Sequence, residues 1–274
     1  MRAAKRTNLA RGFSLVELAV VMAIVALLLG GLMYTLSAQV EQRNFEDTRR
    51  RLEQARELIL GFAIVNGRLP CPATATSTGD ESQTPAGSGI CTTGYAGWLP
   101  ARTIGYQQTD TGGYAVDAWG NRIRYAVSVA TPYNTAMPQV CRSVNSATPP
   151  VTPHFTHKDK LRANGIDCQP NDLLICKSAT AVPPGLPITS TSCRGPANQI
   201  MAMSLVVALI FSTGKNGAFG GTGADEAANL DGNATFVFHT PTPRSATNGE
   251  FDDQFTWITV GELYGRLISA GVLP

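Results

Sequence analysis

Glu17 is the one charged residue in a run of 24, residues 13–36, that reads FSLVELAVVMAIVALLLGGLMYTL. A carboxylate inside such a run is costly in hydrocarbon and is retained for a partner or a function. Gly12 stands just before the run, and Arg2, Lys5, Arg6 and Arg11 stand before it with no acid among them. A second kind of chemistry lies in the cysteines. Cys71, Cys91, Cys141, Cys168, Cys176 and Cys193 are even in number, and no two are spaced as CxxC. That argues for disulfides rather than a zinc site or a thioredoxin-like redox pair. Cys71 and Cys91 bracket one Gly/Ser/Thr-rich loop and are expected to pair. The other four allow three connectivities, of which the nearest-neighbour one is preferred: Cys141 with Cys168 and Cys176 with Cys193.

Catalytic constellations are missing. His154 and His157 sit in a Pro-rich stretch and read as solvated loop residues, and His239 lies in the strand-like TFVFHT. No Gly-x-Ser-x-Gly elbow occurs, and Gly214-Lys215 lacks the preceding glycine of a phosphate loop, since position 209 is Leu. The reading is of a non-enzyme.

The elements that position these residues follow from period and length. Twenty-four residues suffice for a helix to cross a hydrocarbon core of ~30 Å. The basic arm places residues 1–12 on the cytoplasmic side and everything after residue 36 outside the cytoplasm, in an oxidising compartment. Beyond it, Phe45, Leu52, Ala55, Ile59 and Phe62 form one apolar stripe, so the helix continues in water to about Val65 and ends at Asn66-Gly67. This stripe is read as a packing face against the chain's own sheet. Residues 67–121 are loop-rich. Ile123, Tyr125, Val127 and Val129 alternate as in a half-buried strand. Residues 131–199 hold ten of the 17 prolines and four of the six cysteines, and read as an insertion in the head with sparse regular structure. The run at residues 200–211, IMAMSLVVALIF, is too short for a second span and reads as a central strand. Strands are expected at residues 235–240 and 255–258, and a last helix from Thr259, whose spacing to Glu262 is that of a capping box, to Ala270. The formal charge of +2 belongs to the leader: without its four basic residues, 18 Lys and Arg face 20 acids. Composition therefore gives no support for nucleic-acid binding.

The basic leader, Gly12, Phe13 and the following SLVELAVVMAIVALLLGGL resemble the N-terminus of type IV prepilins and type II secretion pseudopilins. That resemblance implies a prepilin peptidase that cuts after Gly12 on the cytoplasmic side, methylation of the new N-terminal Phe13, and a role for Glu17, five residues into the mature chain, in assembly with other pilin or pseudopilin subunits. It implies a pilin-like α+β fold: a long N-terminal helix, half transmembrane and half amphipathic, packed on an antiparallel sheet. The domains are then a cleaved leader (1–12), a membrane and filament-core helix (13–36) and a periplasmic head (37–274). The chain would sit in the inner membrane with its N-terminus cytoplasmic, then enter the filament.

Two further segments carry the same resemblance. Asp117, Trp119, Gly120, Asn121 and Tyr125 resemble the Asp-Pro-Trp-Gly-Asn…Tyr segment of major pseudopilins, with Ala118 in place of the proline. STGKNGAFGG and, after about thirty inserted residues, FDDQFTW resemble the pseudopilin pattern that holds calcium. The resemblance implies a calcium site using Asn216, which replaces the family's aspartate, with Asp252 and Asp253, and the inserted segment adds Asp225, Glu226 and Asp231, of which Asp231 is the preferred ligand. The reading is of a structural subunit of such a filament, a minor one given its large head. The alternative is a tip-located binding module for adhesion, substrate or DNA capture.

Overall fold

The computed structural model describes residues 14–132, 141–142, 153–180, 187–189, 191–220 and 223–273, with the side chains of residues 29–38, 131–132, 141–142 and 219 outside the description. Gly12 and Phe13 lie outside it. The elements in order are α1 (Leu15–Asn66), β1 (Gly97–Trp98), α2 (Ala101–Ile104), β2 (Arg124–Val127), β3 (Thr131–Pro132), β4 (Cys141–Arg142), α3 (Lys158–Asn164), β5 (Leu174–Cys176), β6 (Gln199–Met201), β7 (Val206–Ser212), α4 (Ala224–Asn229), β8 (Thr235–Val237), β9 (Gln254–Thr259) and α5 (Val260–Ser269). The chain divides into two units, residues 1–44 and 45–274.

In the first unit α1 begins with a reciprocal cap. The Ser14 N–H donates to Glu17 Oε2 at 2.9 Å, and the Glu17 N–H donates to Ser14 Oγ at 3.2 Å. Two orphan donors of the first turn are thereby satisfied. The large apolar side chains from Leu15 to Leu28 are all exposed, Leu15 at 85% and Val25, the least, at 41%. Among the described residues no helix is long and apolar enough to cross a membrane.

In the second unit, residues 45–66 of α1 bury one stripe. Leu52, Ala55, Ile59 and Ala63 are at most 2% exposed, as is the polar Thr48. They pack with α5 against one face of a four-stranded antiparallel sheet of order β1-β2-β7-β9. Each fully buried Leu or Ile contributes about 1.5–3 kcal/mol. Arg56 ties the helices together with two bonds to Glu262, at 2.5 and 2.6 Å. Thr259 Oγ1 accepts from the Glu262 N–H, so α5 has the cap its sequence proposes, and Gly271 follows at φ +70°.

The opposite face of this sheet is also covered. Ala126, Val206, Leu209 and Phe211 pack on Leu173 and on Ile175 and Phe236 of a second sheet, ordered β6-β5-β8, in which β5 and β8 run parallel. Two sequence expectations are corrected here. β2 is buried on both faces, not half-buried. The run at residues 200–211 is two strands: β6 joins the second sheet, the chain turns where the Leu205 N–H bonds the Ala202 carbonyl, and β7 then crosses the first sheet with every residue buried. The 131–199 insertion supplies β5, the central strand of the second sheet, so it builds core as well as loops. Cys71 is bonded to Cys91 and Cys176 to Cys193. Cys168 is disulfide-bonded, and its expected pairing with Cys141 involves a side chain outside the described ones.

Candidate functional site

Two places carry the residues singled out by sequence. The first is the start of α1. Glu17 is exposed in the first helical turn, where its carboxylate faces the Ser14 amide. Gly12 and Phe13 precede the described residues. Ser14, the reciprocal partner of Glu17, went unread in the sequence although Ser-x-x-Glu is a capping-box spacing.

The second is an acidic cluster in the head. β7 ends at Ser212 and the chain turns sharply through Thr213 to Asn216. Gly214 makes the turn possible: its φ is +63°, and a Cβ there would collide with the Asp252 carboxylate. The turn is pinned from behind by the 117–121 segment. Asp117 Oδ1 accepts the Trp119 and Asn121 amides, its Oδ2 accepts from Ser212 Oγ at 2.6 Å, and Asn121 Nδ2 donates to the Gly214 carbonyl at 2.6 Å. α1 holds that segment in turn. Arg51 donates to the Val116 and Asp117 carbonyls, Thr48 Oγ1 accepts from the Ala118 N–H, and Phe45 packs edge-on against Trp119.

Onto this turn α4 brings Glu226, and the approach to β9 brings Asp252 and Asp253. Oxygens of these three carboxylates lie within 4.8 Å of one another, and all three residues are buried. Asn216 Nδ2 donates to both Glu226 oxygens, at 2.9 and 3.0 Å, and the Asp252 N–H donates to Glu226 Oε1 at 3.1 Å. The Lys215 N–H reaches Asp252 Oδ2 at 2.9 Å. Asn229 donates to Asp253 Oδ2 at 2.7 Å, while its amide also closes on both backbone groups of Val237 at the edge of β8. Burial, then the Glu226 charge, pushes the Asp252 carboxyl up to about 6. Burial above all, then Glu226 and Asp252, pushes Asp253 well above the usual carboxylate range. Asn216 Oδ1 and Asp252 Oδ1 are buried with no hydrogen-bond partner. Crowded carboxylates with two orphaned oxygens are oxygen donors of the kind that could hold a hard divalent cation.

The structure thus brings together Asn216, Asp252 and Asp253 of the expected set. It does not bring Asp231, which is exposed and turned onto its own loop, accepting from the Asn233 N–H and side chain. Glu226 takes the place beside them. It is one of the acids of the inserted segment, and which of them joins the cluster depends on how that segment folds back. Asp225, its neighbour, faces elsewhere: it accepts from the Ala179 N–H, Ser178, Asn248 and His239. Of the two histidines expected in a solvated loop, His154 is corrected and His157 is indeed a partly exposed loop residue. His154 is fully buried, with Nε2 3.1 Å from Tyr264 Oη, and His157 caps α3 by accepting the Asp159 N–H.

The prokaryotic N-terminal methylation motif matches residues 7–33, and it is the signature of type IV pilins and pseudopilins, which are structural subunits. No curated protein and no solved structure matches the chain.

Proposed function

We propose that the chain is a pilin-like structural subunit of a type IV pilus or type II secretion pseudopilus. A prepilin peptidase cuts it after Gly12, Phe13 is N-methylated, and the N-terminal helix anchors it in the inner membrane before packing it into a filament with other pilin or pseudopilin subunits. One observation carries the reading: the methylation motif stands on a helix whose large apolar side chains from Leu15 to Leu28 are all exposed. A helix apolar all round is covered by lipid or by other helices. The large head, with its 131–199 insertion, suits a minor subunit, and display of that head at a filament tip is the alternative role. The test is co-expression with a prepilin peptidase followed by intact mass. The expected product starts at N-methyl-Phe13 and lacks twelve residues; an uncut leader sinks the reading.

The head's acidic cluster is read as a calcium site. Glu226, Asp252, Asp253 and Asn216 Oδ1 would hold the ion. Bound there, its two positive charges would offset most of the repulsion among the three buried carboxyls, and it would join the ends of β7, α4 and β9.

A further inference from the structure

β9 is an edge strand, bonded to β7 alone. Arg56 Nε, from α1, donates to the Trp257 carbonyl at 3.1 Å, so that carbonyl faces away from β7. In an antiparallel ladder the N–H and C=O of one residue point to the same side, and successive residues alternate. Phe255 and Trp257 therefore turn their backbone groups to the free edge, while Thr256 and Ile258 bond β7. The Val260 N–H bonds the Leu205 carbonyl, which fits this phase. Among the described residues, the Phe255 N–H and C=O and the Trp257 N–H have no partner.

A groove of about 430 Å³ runs along that edge. Gln254, Phe255 and Thr256 form its floor, Phe45 and Leu52 of α1 one wall, and Phe238 the other. Gln254 Nε2 is buried there without a hydrogen-bond partner. Leaving a buried donor unmade costs ~1–3 kcal/mol. Unpaired ladder groups in a row are complementary to one thing, the backbone of another extended chain. The side chains of such a chain alternate between the two walls, and each wall offers an apolar patch among polar residues, Phe45 and Leu52 on one and Phe238 on the other. The ionisable lining leans acidic, with Glu46, Glu53 and Asp253 against Arg49 and His239.

We propose that this groove takes an extended, neutral or basic peptide segment of another protein, which adds a fifth strand at β9 and places alternate apolar side chains against Phe45 and Leu52 and against Phe238. The site adjoins the acidic cluster, with which it shares Asp253, and goes beyond the filament role: it makes the head a receptor for an unfolded or terminal segment.

The experiment uses the full chain in detergent micelles. Amide exchange is measured residue by residue across residues 254–259, before and after adding ten-residue peptides selected from a random library on the immobilised protein. Without peptide, the Phe255 and Trp257 amides exchange fast while Thr256 and Ile258 are protected. A bound peptide slows exchange at Phe255 and Trp257. N-methylation at every second peptide position weakens binding roughly tenfold, the loss of one hydrogen bond, and the positions between tolerate it. Protection of Phe255 and Trp257 in the free protein overturns the proposal, because the edge is then already covered. So does a library without a peptide that slows both amides. A flat N-methylation profile also overturns it, and marks a pocket for side chains or a small apolar molecule. None of these outcomes bears on leader cleavage, which tests the subunit reading separately.

Discussion

Glu17 already has employment in the isolated chain. Its carboxylate holds the Ser14 amide, and its own amide is held by Ser14 Oγ. The pilin-like reading gives the same carboxylate a second task, pairing with the amine that cleavage creates at Phe13, on its own or a neighbouring subunit. A carboxylate has about four acceptor sites, so it can serve the amide and an ammonium together. The two tasks separate by mutation. Ser14→Ala removes only the cap, which costs about 1 kcal/mol of helix start, and leaves the charge. Glu17→Gln keeps a capping acceptor and removes the charge. Glu17→Gln is therefore expected to be cleaved normally and to fall at least roughly tenfold in sheared filaments, while Ser14→Ala assembles to near wild-type level. The magnitude assumes a charge pair worth ~1.5–3 kcal/mol. Wild-type incorporation of Glu17→Gln together with loss of Ser14→Ala would show that the cap, not the charge, is what assembly needs.

At the scale of elements, what the sequence made legible was periodic and what it hid was not. Leu52, Ala55 and Ile59 announce their stripe at helical spacing, and Thr259 with Glu262 announces the cap of α5. The break between β6 and β7 was hidden because residues 202–205, Ala-Met-Ser-Leu, contain no Gly or Pro, and because a strand buried on both faces shows no alternation. The second sheet was hidden because β5 and β8 are parallel partners about sixty residues apart. The same kind of separation hid which of the inserted acids, Asp225, Glu226 or Asp231, joins the cluster. α4 has only six residues, yet it delivers Glu226 to the acidic cluster and Asn229 to the open edge of β8. That placement makes α4 the element most sensitive to a bound ion. Millimolar calcium at about 100 Kd would stabilise the folded head by ~2.7 kcal/mol. For a unit of this size that is a rise of roughly 5–10 °C in melting temperature. Glu226→Gln, which preserves volume and removes one ligand charge, should lose most of that rise. Its melting temperature without calcium should match or exceed the wild type, since it relieves repulsion among Glu226, Asp252 and Asp253. Superimposable wild-type curves with calcium and with chelator would leave the cluster as an amide-bonded turn only.

The whole head is built as three layers: helices α1 and α5, the four-stranded sheet, and the second sheet. The 153–168 segment is fastened to the helical layer at one polar point inside an apolar core. There His154 meets Tyr264 Oη, whose own hydroxyl donates to the Cys168 carbonyl, with Phe155 edge-on to the imidazole. Burial holds His154 down to about 4, against 6.5 in an open chain. The unfolded chain thus binds a proton between those values that the folded head does not. Stability from this residue is complete above about pH 6.5 and is lost progressively as pH falls to about 4; two and a half units correspond to about 3 kcal/mol. The acids of the cluster titrate in the opposite sense, since their folded values are raised, so a bare melting curve against pH mixes the two. A difference curve separates them. His154→Asn keeps a polar side chain near Tyr264 but cannot titrate. Whatever constant packing penalty it carries, the gap between wild type and variant should narrow by about 3 kcal/mol between pH 7 and pH 4, read from denaturant unfolding of the full chain in micelles at fixed calcium. A gap that stays constant over that range would mean that His154 is protonated inside the fold, and that the 153–168 segment opens to admit water long before the head unfolds.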